Sequence, residues 1–120
     1  MTPQFTAIAD HALLVTFSDE ISKEAHASVI ALDNAISINP PKGMIEAVPA
    51  LVNLLVAFDP AETDHVEIEL GLRLNLESMI IQDITGVPRS VQVCYEAPFA
   101  QDLEAVATAT GLSTDAVINA

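Results

Sequence analysis

Positive charge is scarce in this sequence. Four basic residues (Lys23, Lys42, Arg73 and Arg89) face seventeen acids, giving a formal net charge of −13. Phosphate backbones are gripped by clustered Lys and Arg, so nucleic acid is a poor partner, and anionic membrane surfaces fail on the same ground. Tryptophan is absent and aromatics make up 4% of the chain, so a core must be aliphatic. The one cysteine, Cys94, can neither close an internal disulfide nor build a thiolate metal cage, and it fits a reducing compartment. Gly43, Gly71, Gly86 and Gly111 stand alone, so no phosphate loop or dinucleotide fingerprint can be drawn. The opening Met1-Thr2-Pro3-Gln4-Phe5 lacks the basic stretch and apolar run of a secretion signal. The most apolar stretch, Ala47 to Phe58, is too short for a membrane span and contains Pro49 and Asn53. A soluble cytoplasmic protein is the expectation.

What remains is rich in aliphatics. Half of the 120 residues (51%) are hydrophobic, enough for a packed core and too many for a disordered chain. The length allows one domain, or a small domain and a piece of another.

Phe5–Ala9 and Ala12–Phe17 read as two strands hinged at Asp10-His11, where a short polar side chain can satisfy a turning backbone. Ser22 is placed to cap a helix whose Ala25, Val29, Leu32 and Ile36 fall on one face. Asn39-Pro40-Pro41-Lys42-Gly43 ends it, because proline cannot continue a helix. A second pair of strands follows, Met44–Val48 and Leu51–Phe58, separated by Pro49-Ala50 and closed by Asp59-Pro60. From Val66 to Leu76 the apolar residues alternate strictly, as in a strand. The residue types decide otherwise: Leu, Glu and Arg are helix formers, Val66, Leu70 and Leu74 stack at steps of four, and Thr63 or Asp64 can cap. A helix is expected.

The order is therefore ββαββα, an α+β fold with a two-layer antiparallel sheet and both helices on one face. It closes near Gly86-Val87-Pro88. Ser90–Tyr95 then reads as a new strand, Asp102 as the cap of a helix through Thr108 that Gly111 ends, and Ser113 as the cap of another. The last helix has barely two turns when the sequence ends at Ala120, which points to truncation. The domain expectation is an N-terminal unit over 1–88 and the start of a second over 89–120.

Candidate chemistry is thin. His11, His26 and His65 show no metal-ligand spacing, so they read as surface or turn histidines and no metal is expected. Glu67 and Glu69 point to different sides of a helix and make no acid/base pair. Cys94 has no basic neighbour to lower its pKa and reads as buried and inert. The stretch from Ala105 to Ile118 has a helix-turn-helix outline, yet Asp115 sits in the would-be reading helix and no basic residue follows Arg89. Counterion release could not drive DNA binding there. No catalytic residue is assigned within 1–120, and cofactor-binding residues are unknown.

Three segments together resemble one family. Ala9-Asp10-His11-Ala12-Leu13-Leu14-Val15-Thr16-Phe17 is similar to its opening G-D-x-A-L-L-V-x-F. Gly43-Met44-Ile45-Glu46-Ala47-Val48-Pro49-Ala50 and Leu54-Leu55-Val56-Ala57-Phe58-Asp59-Pro60 resemble G-V-x-E-x-V-P-A and L-L-V-x-Y-D-P. Val93-Cys94-Tyr95, Phe99, Asp102-Leu103-Glu104, Thr110-Gly111-Leu112-Ser113 and Val117-Ile118 match P-V-C-Y-G-G-x-F-G-P-D-L-E, T-G-L-S and V-I. The family is that of the 5-oxoprolinase B subunit, also called allophanate hydrolase subunit 1, or KipI-like. The likeness runs through nearly the whole chain in the same order. Departures lie in the third segment. The family's Gly-Gly is Glu96-Ala97, its Gly-Pro is Ala100-Gln101, and the proline before Val-Cys-Tyr is Gln92. Lost glycines remove access to positive φ and to close backbone approach.

The resemblance implies a ββαββα domain followed by a larger, cyclophilin-like β domain, of which only the entry is present. It implies one component of an ATP-dependent hydrolase that opens 5-oxoproline to glutamate, acting with C-type and A-type 5-oxoprolinase subunits. ATP would serve the full complex and not be bound by 1–120 alone. Two rivals share the fold: a KipI-type inhibitor of a sensor histidine kinase, and a non-catalytic assembly module. A homo-oligomer is also compatible.

Overall fold

The computed structural model describes residues 2–120. Two compact units divide the chain, the first ending at Thr85 and the second covering Gly86–Ala120. In the first, β1 (Gln4–Ile8), β2 (Ala12–Thr16), α1 (Lys23–Ile38), β3 (Met44–Pro49), β4 (Asn53–Phe58) and α2 (His65–Ser78) follow in the expected ββαββα order. The sheet runs β1-β2-β4-β3, antiparallel at every pairing. Each hairpin thus contributes its second strand to the centre.

Period-two alternation sends Leu13 and Val15 of β2, and Leu54, Val56 and Phe58 of β4, to one side. There they meet Ala25, Val29, Leu32 and Ile36 of α1 and Ile68 and Leu72 of α2 in one buried cluster. Burial of each large aliphatic side chain stabilises by about 1.5–3 kcal/mol, which compensates for the near absence of aromatics. Phe58 is the largest fully buried side chain in this core.

The helix ends follow their chemistry. Ser22 Oγ accepts from the Ala25 amide at 3.1 Å, and Asp64 Oδ1 accepts from the Glu67 amide at 2.9 Å. Such caps contribute about 1 kcal/mol each. α1 stops at Ile38, two residues before Pro40-Pro41. Gly43 then turns the chain at φ +80°, where a Cβ would also lie 2.6 Å from Thr63 Cγ2.

Several expectations need correction. Ala9 belongs to the β1–β2 turn, at φ +53°, and not to the strand. Pro49 pairs with Leu54 inside β3, so the second hairpin turns over residues 50–52 and Leu51 is outside β4. α2 is the expected helix; its buried row is Ile68 and Leu72 with Asn75, while Val66, Leu70 and Leu74 face away from the core. The two rows are offset by about half the helix circumference, and the sheet selected the one that an Asn closes.

The second unit holds α3 (Leu103–Thr110) and α4 (Thr114–Ile118). α3 outruns its expected end at Thr108. Gly111 ends it at φ +70°, and Ser113 Oγ caps α4 by accepting from the Ala116 amide at 3.1 Å. Asp102 makes no side-chain cap; its own φ and ψ are already helical. Ser90–Tyr95 forms no strand, because no second segment among the described residues offers it a ladder of backbone partners. Val91, Val93 and Tyr95 are exposed in consequence, and Cys94 is exposed where burial was expected. The cyclophilin-like extension is not seen.

Candidate functional site

The face of the sheet turned away from the helices is the first feature. Residues directly opposite on paired strands share a face. The register therefore aligns Thr6, Leu14, Leu55 and Val48 in one row across all four strands. A neighbouring row is Ile8, Ala12, Ala57 and Glu46, and on the other side Gln4, Thr16 and Asn53 form a polar margin. Leu14 and Leu55 are half-buried by their strand neighbours, while Ile8 and Val48 at the edges are exposed. α1 and α2 pack on the opposite side, so the middle of this face presents aliphatic carbon with little charge. Glu46 is the one carboxylate in these rows and has no acid or base beside it in its row.

A polar cluster lies at the β1–β2 turn. His11 Nδ1 donates to Asp10 Oδ1 at 2.7 Å, and His65 Nε2 at the start of α2 donates to the Ala9 carbonyl at 3.0 Å. The His65 ring also meets Phe58 edge to face, with centroids 5.0 Å apart. The hydrogen bond from His11 is the main reason the Asp10 carboxyl is held below the usual carboxylate range. Its own backbone amide and the charges of His11 and His65 act in the same direction. The arrangement fastens the turn to α2. His26, the remaining histidine, lies in the first turn of α1 and not mid-helix, with its Nδ1 buried and without a hydrogen-bond partner. Among the described residues no three His, Cys, Asp or Glu side chains converge as a metal site.

Glu69 and Glu67 separate as their helical spacing requires. Glu69 Oε1 accepts from Arg73 Nε and Nη2, at 2.9 and 2.6 Å. The Arg73 guanidinium lies 4.5 Å from the centre of the Phe5 ring. In the second unit the α3–α4 pair carries Glu104 and Asp115 in its first turns and no basic residue in its last turns. No helix of the described residues is long and apolar enough to cross a membrane.

Residues 3–120 match the family described as carboxyltransferase domain, subdomain C and D. The chain belongs to that family. A curated relative, the 5-oxoprolinase B subunit of Bacillus subtilis (strain 168), is 30% identical over 97% of this chain. The chain spans about half (53%) of that relative's length. A conserved uncharacterized protein from Pyrococcus horikoshii superposes with a TM-score of 0.57 at 33% identity, over 96% of this chain and 53% of its own. The N-terminal domain of the histidine kinase inhibitor KipI from Bacillus subtilis superposes with a TM-score of 0.54 at 26% identity. That match takes in 65% of this chain and 89% of the KipI domain. The family resemblance read from the three sequence segments is borne out.

The row Val66, Leu70, Leu74 marks α2 as a helix in the sequence, and the structure leaves that row exposed. Its signal, steps of four along α2, was visible; a second row at Ile68 and Leu72 competed for the same core.

Proposed function

We propose that this chain is the N-terminal part of a 5-oxoprolinase B subunit that serves by assembly. The observation that carries this is the aliphatic open face of the sheet, centred on Leu14 and Leu55, in a member of this family. An aliphatic sheet face in water is stabilised by cover. The cover is a C-type 5-oxoprolinase subunit, with an A-type one completing a complex that opens 5-oxoproline to glutamate at the expense of ATP. The segment from Gly86 onward is the entry to a second, cyclophilin-like domain, in which Ser90–Tyr95 finds its strand partner.

This reading does not ask the described residues to hold ATP. Gly43 follows α1 and leads into β3, and Gly111 joins two short helices, so neither forms a phosphate cradle at the start of a long helix. Arg73 is already engaged by Glu69. Nucleotide chemistry is accordingly assigned to other parts of the complex.

The test is co-purification of the protein with C-type and A-type subunits, followed by a 5-oxoproline-dependent ATPase assay. Complex formation with 5-oxoproline-dependent turnover supports the reading, as does calorimetry showing no ATP binding to the 120-residue chain alone. A micromolar ATP affinity of this chain would overturn the assignment of nucleotide to other parts. A second reading, inhibition of a sensor histidine kinase, draws on the superposition with the KipI domain. Loss of kinase autophosphorylation on addition of the protein, with no 5-oxoproline-dependent turnover, would select it.

A further inference from the structure

α2 has two apolar faces, and only one is used by the core. Ile68 and Leu72 are fully buried, yet Val66, Leu70 and Leu74 remain 66%, 52% and 65% exposed on the outer side. A surface helix ordinarily turns polar residues outward, and a helix apolar all round is one that is covered. The three side chains follow steps of four and extend over about 12 Å of helix axis at about 1.5 Å per residue. Leu70 and Leu74 border a groove of about 820 Å³ that Pro41 and Lys42 also line. Gly71 also lines it and lies so close to Pro41 that a Cβ would stand 2.8 Å from the proline Cβ.

The charges around the groove point to its occupant. Glu62, Glu67 and Glu77 line it, against Lys42 and Arg73. The Arg73 charge is taken up by Glu69 and its guanidinium rests near the Phe5 ring, so acidic charge prevails along the lining. A second copy of this chain would bring another −13 against the first, and so is disfavoured. An amphipathic helix with Leu-like anchors at steps of three and four meets the stripe, and flanking Lys or Arg meets the three glutamates.

We propose that the groove bordered by Leu70 and Leu74, with exposed Val66 continuing the same stripe of α2 beyond it, is a docking site for a basic amphipathic helix of a partner protein. It is distinct from the open sheet face and faces another direction. Apolar anchors supply the affinity, and the glutamates set orientation and salt dependence.

The test uses the full 120-residue chain and three synthetic peptides. One carries leucines at i, i+4 and i+7 flanked by lysines; the second has glutamates in place of the lysines; the third is a scramble of the first. Amide chemical-shift mapping with the first peptide is expected to move Val66, Leu70, Leu74 and Glu77. The second and third are expected to bind at least tenfold more weakly. Leu70→Gln with Leu74→Gln keeps the charge and is expected to weaken the first peptide at least tenfold without shifting the unfolding temperature. Val66→Gln provides a milder variant with the same expectation in smaller degree. Equal binding of the scramble, unchanged affinity of the Gln variants, or shifts confined to the open sheet face would each overturn the proposal. So would sedimentation showing a homodimer that the Gln variants dissociate.

Discussion

Asn75 Nδ2 donates to the carbonyl of Asn39 at 3.1 Å, tying the last turn of α2 to the residue that ends α1. The same nitrogen donates to the Gly71 carbonyl at 2.9 Å, and the side chain is buried. A side-chain amide thereby supplies a donor at the end of α1, where carbonyls have no partner within the helix.

Replacing Asn75 should therefore cost more than its size implies. Asn75→Leu keeps the branched outline but adds bulk and removes the donor, with an expected loss of about 1–3 kcal/mol by chemical denaturation. Asn75→Asp should lose more at neutral pH, because it sets a charge against two carbonyl oxygens. Part of that excess should return when the carboxyl is protonated in acid.

The two leucines at the centre of β4 should behave oppositely. Leu54 is fully buried beneath the helices, so Leu54→Asp is expected to unfold the first unit, seen as loss of the cooperative thermal transition. Leu55 faces the other way and is half-buried, so Leu55→Asp should keep the fold and abolish co-purification with the proposed C-type subunit. If both variants fold and bind normally, the sheet-face interface is wrong.

Gly71→Ala sets two effects against each other. Alanine gains about 1 kcal/mol of helix propensity. Its methyl would stand 2.8 Å from the Pro41 Cβ, in a ring that cannot rotate away. Overpacking of that kind costs about 1–3 kcal/mol, so net destabilisation is expected in urea unfolding. A stabilised variant would show that the 40–42 loop yields.

Asp10 offers a test in pH. Its folded-state pKa is depressed, chiefly by the hydrogen bond from His11. Stability from a depressed carboxyl is present above its unfolded pKa and is lost as pH falls through the folded one. Asp10→Asn should lower stability slightly at neutral pH, where the ionised carboxyl contributes, leave it unchanged in strong acid, and so flatten that acid limb of the stability curve. Because the carboxyl is fully exposed, the effect should shrink further in high salt.

Much of the first unit was legible because several signals agreed at each element. Ser22, the Ala25–Ile36 face and Pro40-Pro41 fixed α1 from both ends. In α2 residue type and cap chemistry outweighed a period-two pattern, and Asp64 was the cap. Which row of α2 enters the core depended on the sheet, a tertiary choice between two apolar rows. Ser90–Tyr95 shows the opposite limit. Its alternation is that of a strand, but a strand exists only with a neighbour, and the neighbour is not among the described residues. The open sheet face could be anticipated from β2 and β4, which carry aliphatics at nearly every position. The row Thr6-Leu14-Leu55-Val48 needed the register.

The strand order has a kinetic consequence. β1–β2 and β3–β4 are hairpins that close over a few residues, but β2–β4 joins Leu14 to Leu55 across about half of the first unit. Local pairings form in about microseconds, whereas a non-local one must first overcome the entropy of closing a long loop. The middle of the sheet is thus the joint that forms late, and each ββα half waits for the other as its template. The seam where the halves meet carries Leu13, Val15, Leu54 and Val56, so the slow step of folding and the most deeply buried part of the sheet coincide.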